Sequence, residues 1–418
     1  MNQTTRNNRK IINDPVHGFI NIQSGIIFNL IEHKYFQRLR RIKQLGLTDF
    51  VYPGACHTRF QHAIGAMYLM ELAIDVLRSK GNIITNDEAT AVSIAIMLHD
   101  IGHGPFSHAL EHSLVSEINH EELSLILMKY LNDEFNGRLT LVIDIFLDKY
   151  HKHFLHQLVS SQLDMDRLDY LRRDSFYTGV IEGAVGSDRI IKMLNVVDDQ
   201  LIVEEKGIYS IEKFLIARRL MYWQVYLHKT VISAEQLLVN ILLRAKELAE
   251  KKVEIFASEP LKYFLCHKIT KRDFMHSGNK QVRAIEYFAQ LDDYDIITAI
   301  KSWAFHPDKT ISLLCQFLIN RKLFKIEMQY IPFKTGEIKH LYRKVGKLLN
   351  IDAENVKYFA GTDSISNFAY DPQDYNINIL YKNGELADIS EASDMLNTEV
   401  LSKTVRKFFI YFPKTLIR

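Results

Sequence analysis

Several features that would settle a protein's class at once are missing from this 418-residue chain. It carries almost no net charge, with 52 Lys and Arg against 50 Asp and Glu, a formal +2. That balance excludes a wholly basic nucleic-acid protein and an acidic tail. Its three cysteines, Cys56, Cys266 and Cys315, are far apart and odd in number. They form no disulfide framework or zinc ribbon, and a reducing cytoplasm is the expected setting. No uninterrupted apolar run of about 18 residues occurs, so no membrane helix is expected. Met1–Lys10 is polar, with no apolar stretch after it, which argues against a secretory signal. Internal repeats and low-complexity tracts are missing as well.

What is present is a globular composition, 47% hydrophobic and 24% charged, with length for two or three domains at about 150 residues each. Residues 1–30 read as a turn-rich β segment, 31–321 as a helical body, and 322–418 as a smaller α+β region. The expected fold class is therefore mainly α. In the body, Ile31, Tyr35, Leu39 and Ile42 recur on one helical face. Residues 60–80 form an amphipathic segment stopped at Gly81. Thr85 and Glu88 predict a capping box opening a helix that runs to His99. Further helices are expected at 120–135, 139–150, 153–173, 186–197 and 211–252, with a hairpin at 200–210 centred on Lys206-Gly207. In the last region, Phe324–Pro332 and Phe408–Phe412 read as strands and 335–349 as a helix. Tyr375–Ile389 reads as a hairpin turning at Asn383-Gly384.

Histidine is unevenly spread. Seven of 17 lie between His57 and His120, where even scatter would put about 2.6. At the centre is His99-Asp100-Ile101-Gly102-His103-Gly104-Pro105, a His-Asp pair ending an apolar helix. Adjacent residues lie about 100° apart on a helix, so both can reach one ion only where the helix ends. Gly102, Gly104 and Pro105 supply that ending. His62 lies on a helix face with Gly65, Ala66 and Leu69, small enough for a partner helix to come close. Asp166 lies in another predicted helix. His62, His99, Asp100 and Asp166 make a mixed N/O set that suits one divalent ion, Mn, Fe, Zn, Ni, Co or Mg, without choosing among them. A zincin reading of His99 and His103 fails, because Asp100 stands where glutamate is required and glycine interrupts the helix.

The combined string resembles the HD-domain superfamily. More narrowly, it is similar to deoxynucleoside triphosphate triphosphohydrolases, the SAM-and-HD-domain enzymes and their bacterial relatives. The matching stretches are Ile12–Gly18, Phe36–Gly46, Val51–Ala55, Arg59–His62, His99–His108, His120-Glu121, Asp166–Tyr170 and Tyr226–Lys229. They run in the family's order from residue 11 to about 230. The resemblance implies metal-dependent hydrolysis of deoxynucleoside triphosphates to deoxynucleoside and inorganic triphosphate, with Mg accompanying the nucleotide. It implies His108 as general acid, with His103 and His120 in the same pocket. Glu111 stands where relatives can carry Asp as partner of that acid. Arg59 would reach the α-phosphate, Gln44 and Asp174 the 3′-hydroxyl, and Arg167, Tyr170 and Arg218 the terminal phosphate. Tyr226 would press on the sugar and disfavour a 2′-hydroxyl.

Lys34, Arg38, Arg40, Arg41 and Lys43 form a basic run with no acid. Simple phosphate neutralisation would let it bind single-stranded nucleic acid. The resemblance implies instead a regulatory nucleotide site at a subunit interface of a homo-dimer or tetramer. Asn13, Asp14, Glu32 and Arg40 stand at the matching positions, with Glu32 where guanine-reading relatives have Asp. Two rival functions remain: another HD phosphohydrolase acting on a monophosphate or signalling nucleotide, and a nucleic-acid-binding protein with a weak active site. Residues 1–60 hold nine Lys or Arg and three acids, a local +6 that the chain's near-neutrality conceals.

Overall fold

A computed structural model describes residues 10–22, 25–106, 113–275, 279–367, 370, 376–394 and 404–417. The architecture is mainly α, with a smaller C-terminal α+β region. Its central helix, Arg59–Ser79, packs against Asn86–Leu98 and Met165–Thr178. Every residue from Ala91 to Leu98 is buried, as expected of a helix surrounded by others. The Thr85 hydroxyl accepts the Glu88 amide at 3.2 Å and the Glu88 carboxylate accepts the Thr85 amide at 2.8 Å, the predicted capping box.

Other elements differ from expectation for local reasons. The face Ile31, Tyr35, Leu39, Ile42 is buried, but across a corner. Ile26–Glu32 stops at His33, whose ring accepts the Tyr35 amide and opens Lys34–Gln37. The helix expected at 153–173 is two, His153–Val159 and Met165–Thr178. Asp164 separates them by accepting the amides of Ser161 at 2.9 Å and Arg167 at 2.8 Å. The hairpin is formed by Leu194–Val197 and Gln200–Glu204, not around Lys206-Gly207. Its turn is Asp198-Asp199, both left-handed (φ 48° and 61°), the backbone of a type I′ turn. The expected helix at 186–197 is accordingly cut to Ser187–Met193. The long helix at 211–252 is broken into Ile208–Met221, a wide π turn at Tyr222–Tyr226, and Lys229–Glu250.

In the C-terminal region, Phe324–Gln329, Val405–Pro413 and Gly361–Asn367 form an antiparallel sheet in that order. The Ser233 hydroxyl and Asn240 amide of the long body helix donate to the carbonyls of Phe324 and Tyr358, tying this sheet to the body. The Asn383-Gly384 hairpin is present, with Asn378–Leu380 paired to Leu386–Asp388. Its first strand also runs parallel to Gln200–Glu204 of the body, giving a four-stranded sheet. Among the described residues, no helix is long and apolar enough to cross a membrane.

Candidate active site

Three helices deliver the metal-type side chains. His62 comes from the first turn of Arg59–Ser79, His99 from the end of Asn86–Leu98, and Asp166 from the first turn of Met165–Thr178. One donor atom from each lies within 4.8 Å of the others. The distal nitrogens of the rings are fixed: His99 Nδ1 donates to the Ile96 carbonyl at 2.6 Å, and His62 Nδ1 faces Asp169 Oδ2 at 2.8 Å. These bonds leave both Nε2 atoms as the inward-facing positions, the arrangement a ligating imidazole needs. Both Nε2 atoms are buried without a hydrogen bond of acceptable geometry among the described residues. Yet Asp166 Oδ1 lies 3.0 Å from one and 3.4 Å from the other. Orphaned nitrogens converging on a carboxylate fit a cation bound among them.

The electrostatics agree. Burial pushes both imidazoles down, but Asp166 and Asp169 around His62 hold it at about 10, and Asp100 and Asp166 hold His99 at about 9. The carboxylates thus favour positive charge where an ion would sit. Asp100 is set slightly back. Its Oδ1 is 3.3 Å from His99 Nε2 and 3.2 Å from His103 Nε2, while Oδ2 is paired with Arg59. A cavity of about 450 Å³ opens at this cluster, lined by His99, Asp100, His120, Asp166, Arg167 and others.

Beneath the cluster lies a buried network that sequence reasoning missed. Asp169 is fully buried and receives His17, His62 and Arg173, and Arg173 also donates to Asp14 at 2.8 Å. Gly65 is what admits it, because a Cβ there would collide with Asp169 and Arg173. The only sequence signal was the i, i+4 spacing of Asp169 and Arg173 on the helix of Asp166. Arg38 was read as part of a basic surface, and it is instead 1% exposed. It donates to the carbonyls of His103 at 2.7 Å and Leu291 at 2.9 Å, holding the turn after the His-Asp pair. Asp293 secures the same turn from below by accepting the amides of Lys43 and Phe106.

His103 and His120 are brought together, with rings stacked at 3.9 Å. Gly102 permits this, since a Cβ would strike the His120 carbonyl and the Ser124 amide. Burial and the nearby Arg59 guanidinium pull His103 down to about 3, so its ring is neutral at physiological pH. His108 and Glu111 lie outside the described residues.

A profile of the HD domain matches residues 59–174, and one of the HD associated region matches residues 185–258. An uncharacterized protein of Bacillus subtilis, YwfO, is 32% identical over 425 residues, covering 98% of this chain and 93% of that protein. This chain belongs to the HD-domain family. A crystal structure of a phosphohydrolase from Bacteroides thetaiotaomicron VPI-5482 superposes with a TM-score of 0.93 at 56% identity, covering 97% of this chain and 100% of that one. A deoxynucleoside triphosphate triphosphohydrolase SAMHD1 homolog of Dictyostelium discoideum is 33% identical over 264 residues. That match covers 58% of this chain and 51% of the relative, so the chain spans about half that protein's length. The HD-domain fold and the phosphohydrolase neighbour mark this protein as a hydrolase.

The HD-domain match ends at Asp174, and here the remaining candidates gather. Asp174 is 1% exposed and accepts Tyr226 Oη at 2.7 Å. Tyr226 meets Tyr170 and Tyr222 edge-on, at ring separations of 6.2 and 5.1 Å. Arg218, 7% exposed, lies two turns before Tyr226 in sequence. Arg167 is paired with Asp164 at the start of the helix. Gln44 is half-buried, with its Oε1 lacking a hydrogen bond among the described residues. The four regulatory candidates lie elsewhere and differ in posture. Asn13 is exposed, Arg40 is exposed over the Phe60 ring, and Glu32 pairs with Lys10. Asp14 is turned inward to Arg173.

Proposed function

We propose that this HD-domain protein hydrolyses deoxynucleoside triphosphates to deoxynucleoside and inorganic triphosphate. The observation that carries the reading is the cluster of His62, His99 and Asp166, with two orphaned imidazole nitrogens beside Asp100 and Arg59. His62, His99, Asp166 and Asp100 would hold a divalent ion, which supplies Lewis-acid polarisation of phosphate and a lowered pKa for water. Arg59, Arg167 and Arg218 neutralise the triphosphate and fix its register. Neutral His103, stacked on His120 and with its Nε2 facing Asp100, offers its other ring nitrogen as an acceptor to water without adding charge. The departing 5′ oxygen takes a proton from His108, an assignment supported by the family resemblance. The Tyr170–Tyr222–Tyr226 wall packs against the sugar. A regulatory nucleotide near Asn13, Glu32 and Arg40, and assembly of subunits around it, belong to the same proposal.

The test is to incubate purified protein with each dNTP, each NTP and single-stranded nucleic acid, with Mg, with Mn or with no added metal, and to resolve the products. Inorganic triphosphate that disappears in His99→Ala supports the reading. Orthophosphate as first product would replace it with another HD phosphohydrolase activity. Absence of turnover, together with salt-sensitive binding of nucleic acid, would make the basic segment the functional surface. Neutralising Arg40 should weaken assembly or activation and leave metal content intact.

A further inference from the structure

His57 has no counterpart among the groups assigned above, yet it is 2% exposed and placed among them. It stands two residues before Arg59, at the entry to the helix that carries His62. Its Nε2 lies 2.7 Å from Asp174 Oδ1, with the two side chains 0% and 2% exposed. Its ring stacks on Tyr177 at 4.5 Å and 17°, which fixes the imidazole plane. Its Nδ1 is buried without a hydrogen bond, so Asp174 is the polar tether of this ring among the described residues. Its backbone carbonyl accepts the Gln44 amide at 2.9 Å.

The other oxygen of Asp174 accepts the Tyr226 hydroxyl at 2.7 Å. Burial and the Asp174 carboxylate hold the Tyr226 phenol well above its usual range, so it stays protonated and donates. Both oxygens of Asp174 are thus occupied, one by an imidazole and one by a phenol, and the carboxylate is sealed from solvent. The phenol belongs to the π turn at Tyr222–Tyr226, where the Leu227 amide reaches back to the Tyr222 carbonyl at 2.7 Å. Single π turns occur often at functional sites, and here an outside bond, to Asp174, holds the hydroxyl.

We infer that His57 is a positioning residue for sugar selection: through Asp174 it fixes the Tyr226 hydroxyl, and through its carbonyl it fixes the backbone of Gln44. The inference rests on the proposed function and adds to it a determinant that does not touch substrate. Asp174 acts here as the link between two donors. Without His57, one buried carboxylate oxygen loses its donor, and Asp174 must turn or admit water. The Tyr226 hydroxyl then loses its fixed place, and a 2′-hydroxyl is tolerated beside it.

The experiment measures kcat/KM for one dNTP and the matching NTP in wild type, His57→Leu, His57→Gln and Tyr226→Phe, with metal content and thermal melting alongside. His57→Leu should lower the dNTP/NTP ratio about tenfold while keeping bound metal, a change of the size of one net hydrogen bond. His57→Gln keeps an N–H near the Nε2 position and should restore the ratio. Tyr226→Phe should match His57→Leu, and the double variant should fall no further. An unchanged ratio in His57→Leu, or equal losses on both substrates, overturns the inference. Should His57→Leu fail to fold, Tyr226→Phe decides, and an unchanged ratio there overturns it equally. Wild type that releases no triphosphate from any dNTP would overturn the function reading itself. That result is distinct from an active, selective wild type whose selectivity ignores these variants.

Discussion

The two ends of the helix Met165–Thr178 use the same chemical types, carboxylate, imidazole and neighbouring phenols, to opposite purposes. At its start, Asp166 faces two imidazoles whose Nε2 atoms lack hydrogen bonds among the described residues, and surrounding carboxylates raise both rings. At its end, Asp174 has a donor on each oxygen. The first end is left incomplete in a way that a bound cation could complete. The second already has a hydrogen-bond donor on each oxygen, the arrangement of a group that holds its neighbours in place. Satisfaction of polar groups, rather than residue type, separates a binding centre from a positioning centre.

Removing a donor at the incomplete end should have the largest effect. His99→Ala or Asp166→Ala should abolish bound metal and lower triphosphate release by roughly 10³-fold or more, read by metal analysis and product assay. Full activity in either would end the cluster's claim to be the reaction centre. Next comes the network below. Arg173→Met leaves Asp169 and Asp14 buried without their shared cation, and should lower stability by about 3–5 kcal/mol, measured by urea unfolding. Asp169→Asn, which keeps the volume, should weaken metal binding by about 10–100-fold. Equal stability losses with unaltered metal affinity would reduce Asp169 to a packing role.

Proton linkage sharpens the contrast further. His62 and His99, raised to about 10 and 9, carry protons at neutral pH until an ion displaces them. Metal uptake at pH 7 should therefore release protons, and affinity should climb as pH rises toward 9. Calorimetry in buffers of different ionisation enthalpy measures this directly, and pH-independent affinity would contradict it. The smallest effect is expected at Arg167, already paired with Asp164. Arg167→Lys should raise KM about 2–5-fold with kcat nearly unchanged, since a point charge remains.

The helical fold was legible at several strong local signals. The Thr85–Glu88 box, the Gly81 stop and the Asn383-Gly384 turn each depend on neighbours in sequence. The His-Asp turn was legible because glycine and proline punctuate it. Short-range breaks at His33, Asp164 and Asp198-Asp199 also escaped; the rest of what escaped depended on distant partners. Arg38 looks like its neighbour Arg40 in the sequence, but one is buried under carbonyls and the other lies on the surface. Gly361–Asn367 is too polar to read as a strand, and it pairs only because Val405–Pro413 lies beside it. Asp169 was visible, but its meaning required Gly65 to face it from the neighbouring helix and Arg173 to follow one turn later on its own.

The parallel pairing of Asn378–Leu380 with Gln200–Glu204 has a consequence for biosynthesis. During synthesis, the body's strand edge emerges long before its partner, about 170 residues later in the chain. Until then its amides and carbonyls face water as an open template, the kind of edge that recruits a neighbouring chain. Nascent chains that have not reached residue 378 should therefore expose a strand edge that the finished protein covers. Closing that long loop is a non-local contact, of the kind that slows folding.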